Sequence, residues 1–273
     1  MDAVCEIIDI GVNLAHRSFQ SDRKEVIERA IAAGVWTMIV TGTSLKASEE
    51  ALQIARECPN QLFATAGVHP HDSRNCTDQT ILELRRLAAQ EEVVAIGECG
   101  LDFNRDFSPR PDQERAFEAQ LNLAEELQMP LFLHERDAHG RFCDILSRNR
   151  KSVPAVIHCF TGTKEELTAY LDLGLHIGIT GWICDERRGT HLRELVKNIP
   201  LNRLMIETDA PFLLPRSMPN RPKDGRNEPA FLTNVLKTLA DCLEKPPSLV
   251  AQATTRTAME FFQIRVAGSH KQL

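Results

Sequence analysis

Nine histidines are spread through this chain, and several stand at the ends of short apolar runs that also end in carboxylates. His69 falls in "GVHPHD", Glu98 in "IGECGLDF", His134 in "FLHERD", His158 in "IHCF" and Asp209 in "IETDAP". Each alone has an ordinary structural use, since a strand-end histidine is commonly held by a hydrogen bond and a lone acid caps a turn. Taken together they need another explanation, because burying two imidazoles with two carboxylates is costly unless a cation joins them. No Lys or Arg stands at those run ends except Arg136, so a salt-bridge network would lack positive partners. Mixed imidazole and carboxylate donors without thiolate suit Mg²⁺, Mn²⁺ or Zn²⁺. The expectation is a divalent-metal centre held by Glu98, Asp209 and two of these histidines, able to activate water against a polarised substrate.

The other candidates carry less. His71 stands two residues after His69 and could orient it or touch substrate. His176 begins an apolar run, at the wrong end of it, and His191 sits in a helical pattern, so both read as structural. His16, His139 and His270 have no supporting partner. Cys99 and Cys159 directly follow Glu98 and His158; alternation along a strand turns them outward, against a nucleophilic role. In "DIGVN" the small or polar residues Asp9, Gly11 and Asn13 alternate towards one face. The stretch 211–231 is locally basic, with Arg216, Arg221, Lys223 and Arg226 directly after Asp209, where a phosphate would need cations.

The elements that must position these groups recur with one rhythm. Strand runs are expected at 6–11, 37–42, 62–69, 93–99, 130–135, 155–160, 176–181 and 203–211. Between them lie stretches apolar at three- and four-residue spacing, such as "DRKEVIERAIAAG" and "RAFEAQLNLAEELQ". Gly34, Gly174 and Pro130 stand where helices must stop. Eight apolar strands alternating with helices predict an α/β fold: a single-domain (β/α)8 TIM barrel over 1–273, with an extra C-terminal helix near 247–262. The polar run ends then converge on the C-terminal mouth of the barrel, where such folds place their chemistry.

Composition narrows the classes. Hydrophobic residues make up 42% and charged residues 26%, as in a globular domain with a sizeable core. No apolar run is long enough to span a membrane, and "MDAVCEIIDI" lacks the basic start of a signal peptide, so a cytoplasmic address is expected, or a nuclear one in a eukaryote. Eight scattered cysteines without a C-x-x-C pair read as reduced thiols. A net charge of −6 argues against broad, non-specific nucleic-acid binding, so a polyanion would be held by a local patch or a metal. No protein partner is implied.

"DIGVNL", "TAGVHPHD", "VVAIGECGLDFNR", "LFLHERDAH", "IHCFTGT", "IGITGWICDERRG", "LMIETDAPFLLP" and "RNEP", in register from about Ile8 to Phe262, resemble the TatD-type metal-dependent deoxyribonucleases. The resemblance implies divalent-metal hydrolysis of phosphodiesters, usually with Mg²⁺, as a 3′→5′ exonuclease on single-stranded DNA or RNA in DNA repair or degradation. By position it assigns the metal to Glu98, His134, His158 and Asp209. It places His69 beside the reacting phosphate and Arg226 in the "RNEP" segment. Asp209 would bind the cation or take the proton of the attacking water. His69 would protonate the leaving oxygen or steady the phosphate, and Arg136 and Arg226 would hold its non-bridging oxygens. Many relatives in the wider superfamily begin Asp-x-His-x-His, whereas this chain has Gly11 and Asn13 at the histidine positions. Gly11 would leave room where an imidazole otherwise stands, and Asn13 offers a weak oxygen ligand. Asp9 would back the ligands or join a weaker second site. One firm metal is therefore expected, with a second weak, absent or completed by substrate phosphate. Two other readings are a cyclic-amide, ester or lactone hydrolase on the same barrel and, more distantly, a non-catalytic binding protein.

Overall fold

Near-continuous apolar runs form strands when both faces of a sheet are covered, and eight do so here. The computed structural model describes residues 6–264; Cys5, His270 and the two ends of the expected 1–273 domain lie outside them. The strands are β1 (Ile7–Val12), β2 (Val35–Val40), β3 (Leu62–Ala66), β4 (Val93–Asp102), β5 (Leu131–Arg136), β6 (Ala155–Ile157), β7 (His176–Ile179) and β8 (Leu204–Ile206). They lie in sequence order, each parallel to the next. The helices between them are α1 (Arg23–Ala32), α2 (Leu45–Glu57), α3 (Asp78–Ala88), α4 (Arg110–Leu127), α5 (His139–Asn149), α6 (Lys164–Asp172) and α7 (Thr190–Leu195). After β8 come α8 (Leu232–Leu243) and the expected extra helix, α9 (Pro247–Phe262). Ser44 caps α2 through its side chain, and capping boxes at Thr77 and Thr163 start α3 and α6.

The ring closes beyond the regular ladder. The Asp209 amide donates to the Gly11 carbonyl and the Asn13 amide to the Ala210 carbonyl, both at 2.8 Å. This seam sets Asn13 beside Asp209. Two apolar layers follow from the geometry. Ile8, Ile10, Ile39, Phe132, Val156 and Met205 fill the barrel interior and are closed off by Phe261 and Phe262 of α9. Ile7, Val12, Phe117, Phe142 and Tyr170 belong to the larger layer between sheet and helices.

Several strands are shorter than their apolar runs. β3, β6 and β8 end before His69, His158 and Asp209, which stand on the backbone just beyond. His69 caps a 3-10 turn, Pro70–Asn75, while Cys159 and Asp209 take φ of 49° and 52°, which ends extended pairing. β4 is longer than its run because it stays paired with β5 as far as Asp102 and Arg136. No helix among the described residues is long and apolar enough to cross a membrane, and all seven described cysteines are free.

Candidate metal centre at the barrel mouth

Glu98 owes its direction to an irregularity in β4. Gly97 pairs with Phe132 and Cys99 with Leu133, so Glu98 is an extra residue in the ladder, and its amide turns to the Gly42 carbonyl at 2.8 Å. Such a bulge re-aims a side chain. The Glu98 Oε1 then lies 2.8 Å from His134 Nδ1, 2.9 Å from His158 Nε2 and 3.3 Å from His69 Nε2. Three strand ends thus deliver imidazoles to one nearly buried carboxylate oxygen.

The second nitrogen of each ring separates their roles. His69 Nδ1 accepts the His71 amide at 3.1 Å, so its neutral ring carries the proton on Nε2 and faces the centre as a donor. His158 Nδ1 meets Glu207 Oε2 at 3.2 Å, the carboxylate–imidazole pairing that orients a ligand. His134 Nε2 is buried without a hydrogen-bond partner; Asp102 Oδ2, at 3.7 Å, is too distant to be one. A buried nitrogen left unpaired in a polar centre calls for an additional group.

Charge follows the same lines. Burial alone would raise Glu98, but His158, His69 and the hydrogen bonds from His134 and His158 hold it well below the usual carboxylate range. Burial opposes charge on His158, yet Glu98 and Glu207 hold its imidazolium well above the ordinary value. Burial drives His69 down to about 4 and keeps it neutral. Asp209 is pushed up to about 7, chiefly by burial, with Glu98 and Glu207 adding to the rise. Its Oδ1 accepts a 2.9 Å hydrogen bond from Asn13 Nδ2.

A divalent cation fits this donor set. Donor atoms of His69, Glu98 and His134 lie within 4.8 Å of one another, and His134 Nε2 is buried without a partner. The positive charge now held as a proton on His158 is of the kind metal binding displaces. His69 belongs to the trio by distance, although its Nδ1 hydrogen bond makes it a donor towards the centre. His158 and Asp209 stand outside that tight trio but line the same cavity, of about 850 Å³, with Asn13, His71 and Arg136.

Other expected site residues lie elsewhere. Asp9 does not line the cavity: it is fully buried and accepts the Thr208 amide at 2.9 Å and the Thr208 hydroxyl at 2.5 Å. The alternation expected of "DIGVN" fails because the β1–β2 register shifts between Asp9 and Val12. Burial pushes the Asp9 carboxyl up to about 8, and its hydrogen bonds latch β1 to the chain after β8. The room expected at Gly11 is taken, since a Cβ there would meet Glu207 Oε2 at 2.4 Å. Arg226 also misses the cavity: its terminal nitrogens donate to Asp22 at 2.7 and 2.8 Å and to the Ser18 carbonyl at 2.7 Å. Arg216 lies 3.8 Å from Asp185, and no residue of 216–226 lines the cavity. Arg136 does line it, with no carboxylate in salt-bridge range among the described residues.

Cys159 lines the cavity rather than packing outward, because its positive φ breaks the alternation. Burial pushes its thiol up to about 12, which leaves it a poor nucleophile. His16 and His191 line the cavity as well. Two carboxylates went unread: Glu207, behind His158, and Asp102, which meets His71 Nε2 at 2.7 Å. Glu207 was detectable as the residue two before Asp209 in "IETDAP".

The chain matches known proteins over most of its length. The model of the TatD-related DNases matches residues 8–263. A 3′-5′ ssDNA/RNA exonuclease TatD of Rahnella sp. is 52% identical over 259 residues, covering 94% of this chain and 98% of its own. The protein of the same name from Salmonella typhimurium is 51% identical, covering 94% and 99%. The crystal structure of YJJV, a TatD homolog from Escherichia coli, superposes with a TM-score of 0.86 at 27% identity, over 96% of this chain and all of that one. With its barrel, its Glu98-centred imidazoles and a match running from β1 to the end of α9, the chain belongs to the family of TatD-related DNases.

Proposed function

We propose that this protein is a divalent-metal-dependent exonuclease that removes nucleotides 3′→5′ from single-stranded DNA or RNA, with Mg²⁺ as its metal. The observation that carries the reading is the Glu98 carboxylate oxygen ringed by the three imidazoles of His69, His134 and His158, in a cavity roomy enough for a nucleotide. Glu98, His134 and His158 hold the cation, and Asp209 completes the set or stands against the attacking water. A cation there lowers the pKa of water and neutralises charge building on phosphoryl oxygens. Asp209 takes the water's proton, and Asn13 fixes its carboxylate by hydrogen bonding Oδ1. His69 donates from Nε2 to a phosphate oxygen. Arg136 receives a non-bridging oxygen from the rim. The names of the TatD exonucleases, at about half identity, supply polarity and substrate. A cyclic-amide hydrolase has less support here, as no lysine lines the cavity.

Digestion of end-labelled single- and double-stranded oligonucleotides with Mg²⁺, Mn²⁺ or Zn²⁺ tests the reading. Mononucleotides should leave the 3′ end of the single strand, and excess EDTA should stop their release. Inactivity with all three metals, or undiminished activity in EDTA, would overturn it.

A further inference from the structure

Two phenylalanines stand at the mouth with their rings in solvent. Phe107 is 56% exposed and Phe212 49%; the other large exposed hydrophobics among the described residues, Leu82 and Leu249, lie on α3 and α9. Phe212 lines the cavity and meets His16 edge-on at 5.4 Å. Phe107 stands at the rim, edge-on at 4.7 Å to His71, which lines the cavity. Phe107 follows β4 and Phe212 follows β8, four strands apart in a ring of eight, so the loops that carry them rise on opposite sides of the mouth.

Their backbones are fastened. The Arg74 guanidinium donates to the Phe107 carbonyl, and the next residue, Ser108, is fully buried and donates to the His71 carbonyl at 2.9 Å. The Phe212 amide donates to the Asp209 carbonyl at 3.0 Å, and its carbonyl accepts from the buried Asn227 Nδ2 at 2.7 Å. An apolar ring kept wet on a fixed backbone forgoes the gain of burial, which suits a preformed contact for a ligand. Trp182, also at the mouth, is less available because the Arg188 guanidinium covers its ring at 5.5 Å.

We infer that Phe107 and Phe212 are stacking platforms for two nucleobases, one on each side of the phosphate held at the centre. The inference rests on the reading of the chain as a single-strand nuclease. Stacking on an aromatic ring tolerates any base and needs a free base face, which an unpaired strand offers and a duplex keeps engaged. Single-strand selectivity thus comes from rings at the rim, while the metal centre acts on the phosphate.

The test is equilibrium binding, by fluorescence anisotropy in Mg²⁺, of a labelled phosphorothioate thymidine oligomer and of a base-free tetrahydrofuran oligomer of equal length. Phe107→Ala and Phe212→Ala should each weaken the thymidine oligomer roughly tenfold and leave the base-free oligomer unchanged, and Phe→Trp at either site should restore binding. Unchanged affinity for the thymidine oligomer, equal losses on both oligomers, or no binding by the wild type would overturn the inference. Binding that behaves as expected in a protein that hydrolyses no oligonucleotide would keep this inference and reject the nuclease reading. Hydrolysis that proceeds with base-independent binding would do the reverse.

Discussion

At the floor of the barrel, Ile8, Ile10, Ile39 and Met205 meet Phe261 and Phe262 in an apolar plug. A few residues farther along the sheet, Glu98, His134, His158 and Glu207 crowd ionisable groups at hydrogen-bond distance. Burial at the floor removes apolar surface from water and stabilises the fold. The same burial at the mouth strips charged groups of solvent, and their mutual pairing goes to offset that loss. Around the mouth Cys159, Asp209 and Leu213 hold positive φ. The contrast assigns stability to one end of the barrel and affinity for a cation to the other.

The harshest test of that division is Glu98→Ala. Hydrolysis of a single-stranded oligonucleotide should fall by roughly a thousandfold or more, since a metal's charge stabilisation is worth several kcal/mol. The thermal midpoint should fall by no more than a few degrees, since His158 keeps Glu207 as a partner. A variant that melts far below the wild type would place Glu98 among the stabilising residues and break the comparison. Next in size, Phe261→Ala at the floor should cost about 3–5 kcal/mol in urea unfolding. Calorimetric titration of that variant with Mg²⁺ or Mn²⁺ should return the wild-type affinity; a weaker metal site would show that the two ends are coupled. Between the ends stands Glu207, whose Oε2 meets His158 Nδ1 at 3.2 Å while its other oxygen accepts the Cys159 amide. Glu207→Gln should weaken metal binding about ten- to hundredfold while the protein stays folded. Unaltered affinity would remove Glu207 from the centre.

The floor was more legible in sequence than the mouth. Period-two and period-3.6 apolar patterns report burial directly, so the eight strands and α9 follow from them. Glu98, His134 and His158 were visible because each ends an apolar run. Failures came where pattern stops carrying geometry. The register shift in β1 moves Asp9 off the face that alternation assigns to it. Arg226 sits in a loop with no period, and its partner Asp22 is 204 residues away. Gly11 and Gly178 have no side chains because the Glu207 carboxylate occupies their space, within 2.4 and 2.6 Å of a Cβ at each. A missing side chain becomes informative only once its neighbour across the seam is known.

The smallest expected effect concerns the one histidine at the floor among the described residues. His176 starts β7, packs edge-on against Phe261 at 4.9 Å and has a buried Nδ1 without a partner. Burial first, then the charges of Arg203 and Arg150, lowers it to about 4 from an ordinary 6.5. As pH falls through 6.5 the unfolded chain takes up a proton here that the folded chain refuses, so this residue erodes stability down to about pH 4 and no further. The sign is opposite to that of a histidine paired with a carboxylate, such as His158, whose raised value favours the protonated fold. Urea unfolding at pH 7 and pH 5, with EDTA present to uncouple the metal, isolates the floor residue. The wild type should lose more stability between the two than His176→Gln does, by at most about 1.4 kcal/mol per pH unit. Equal losses would mean that protonation at the floor is tolerated, and the contrast between an uncharged end and a charged one would not extend to acid.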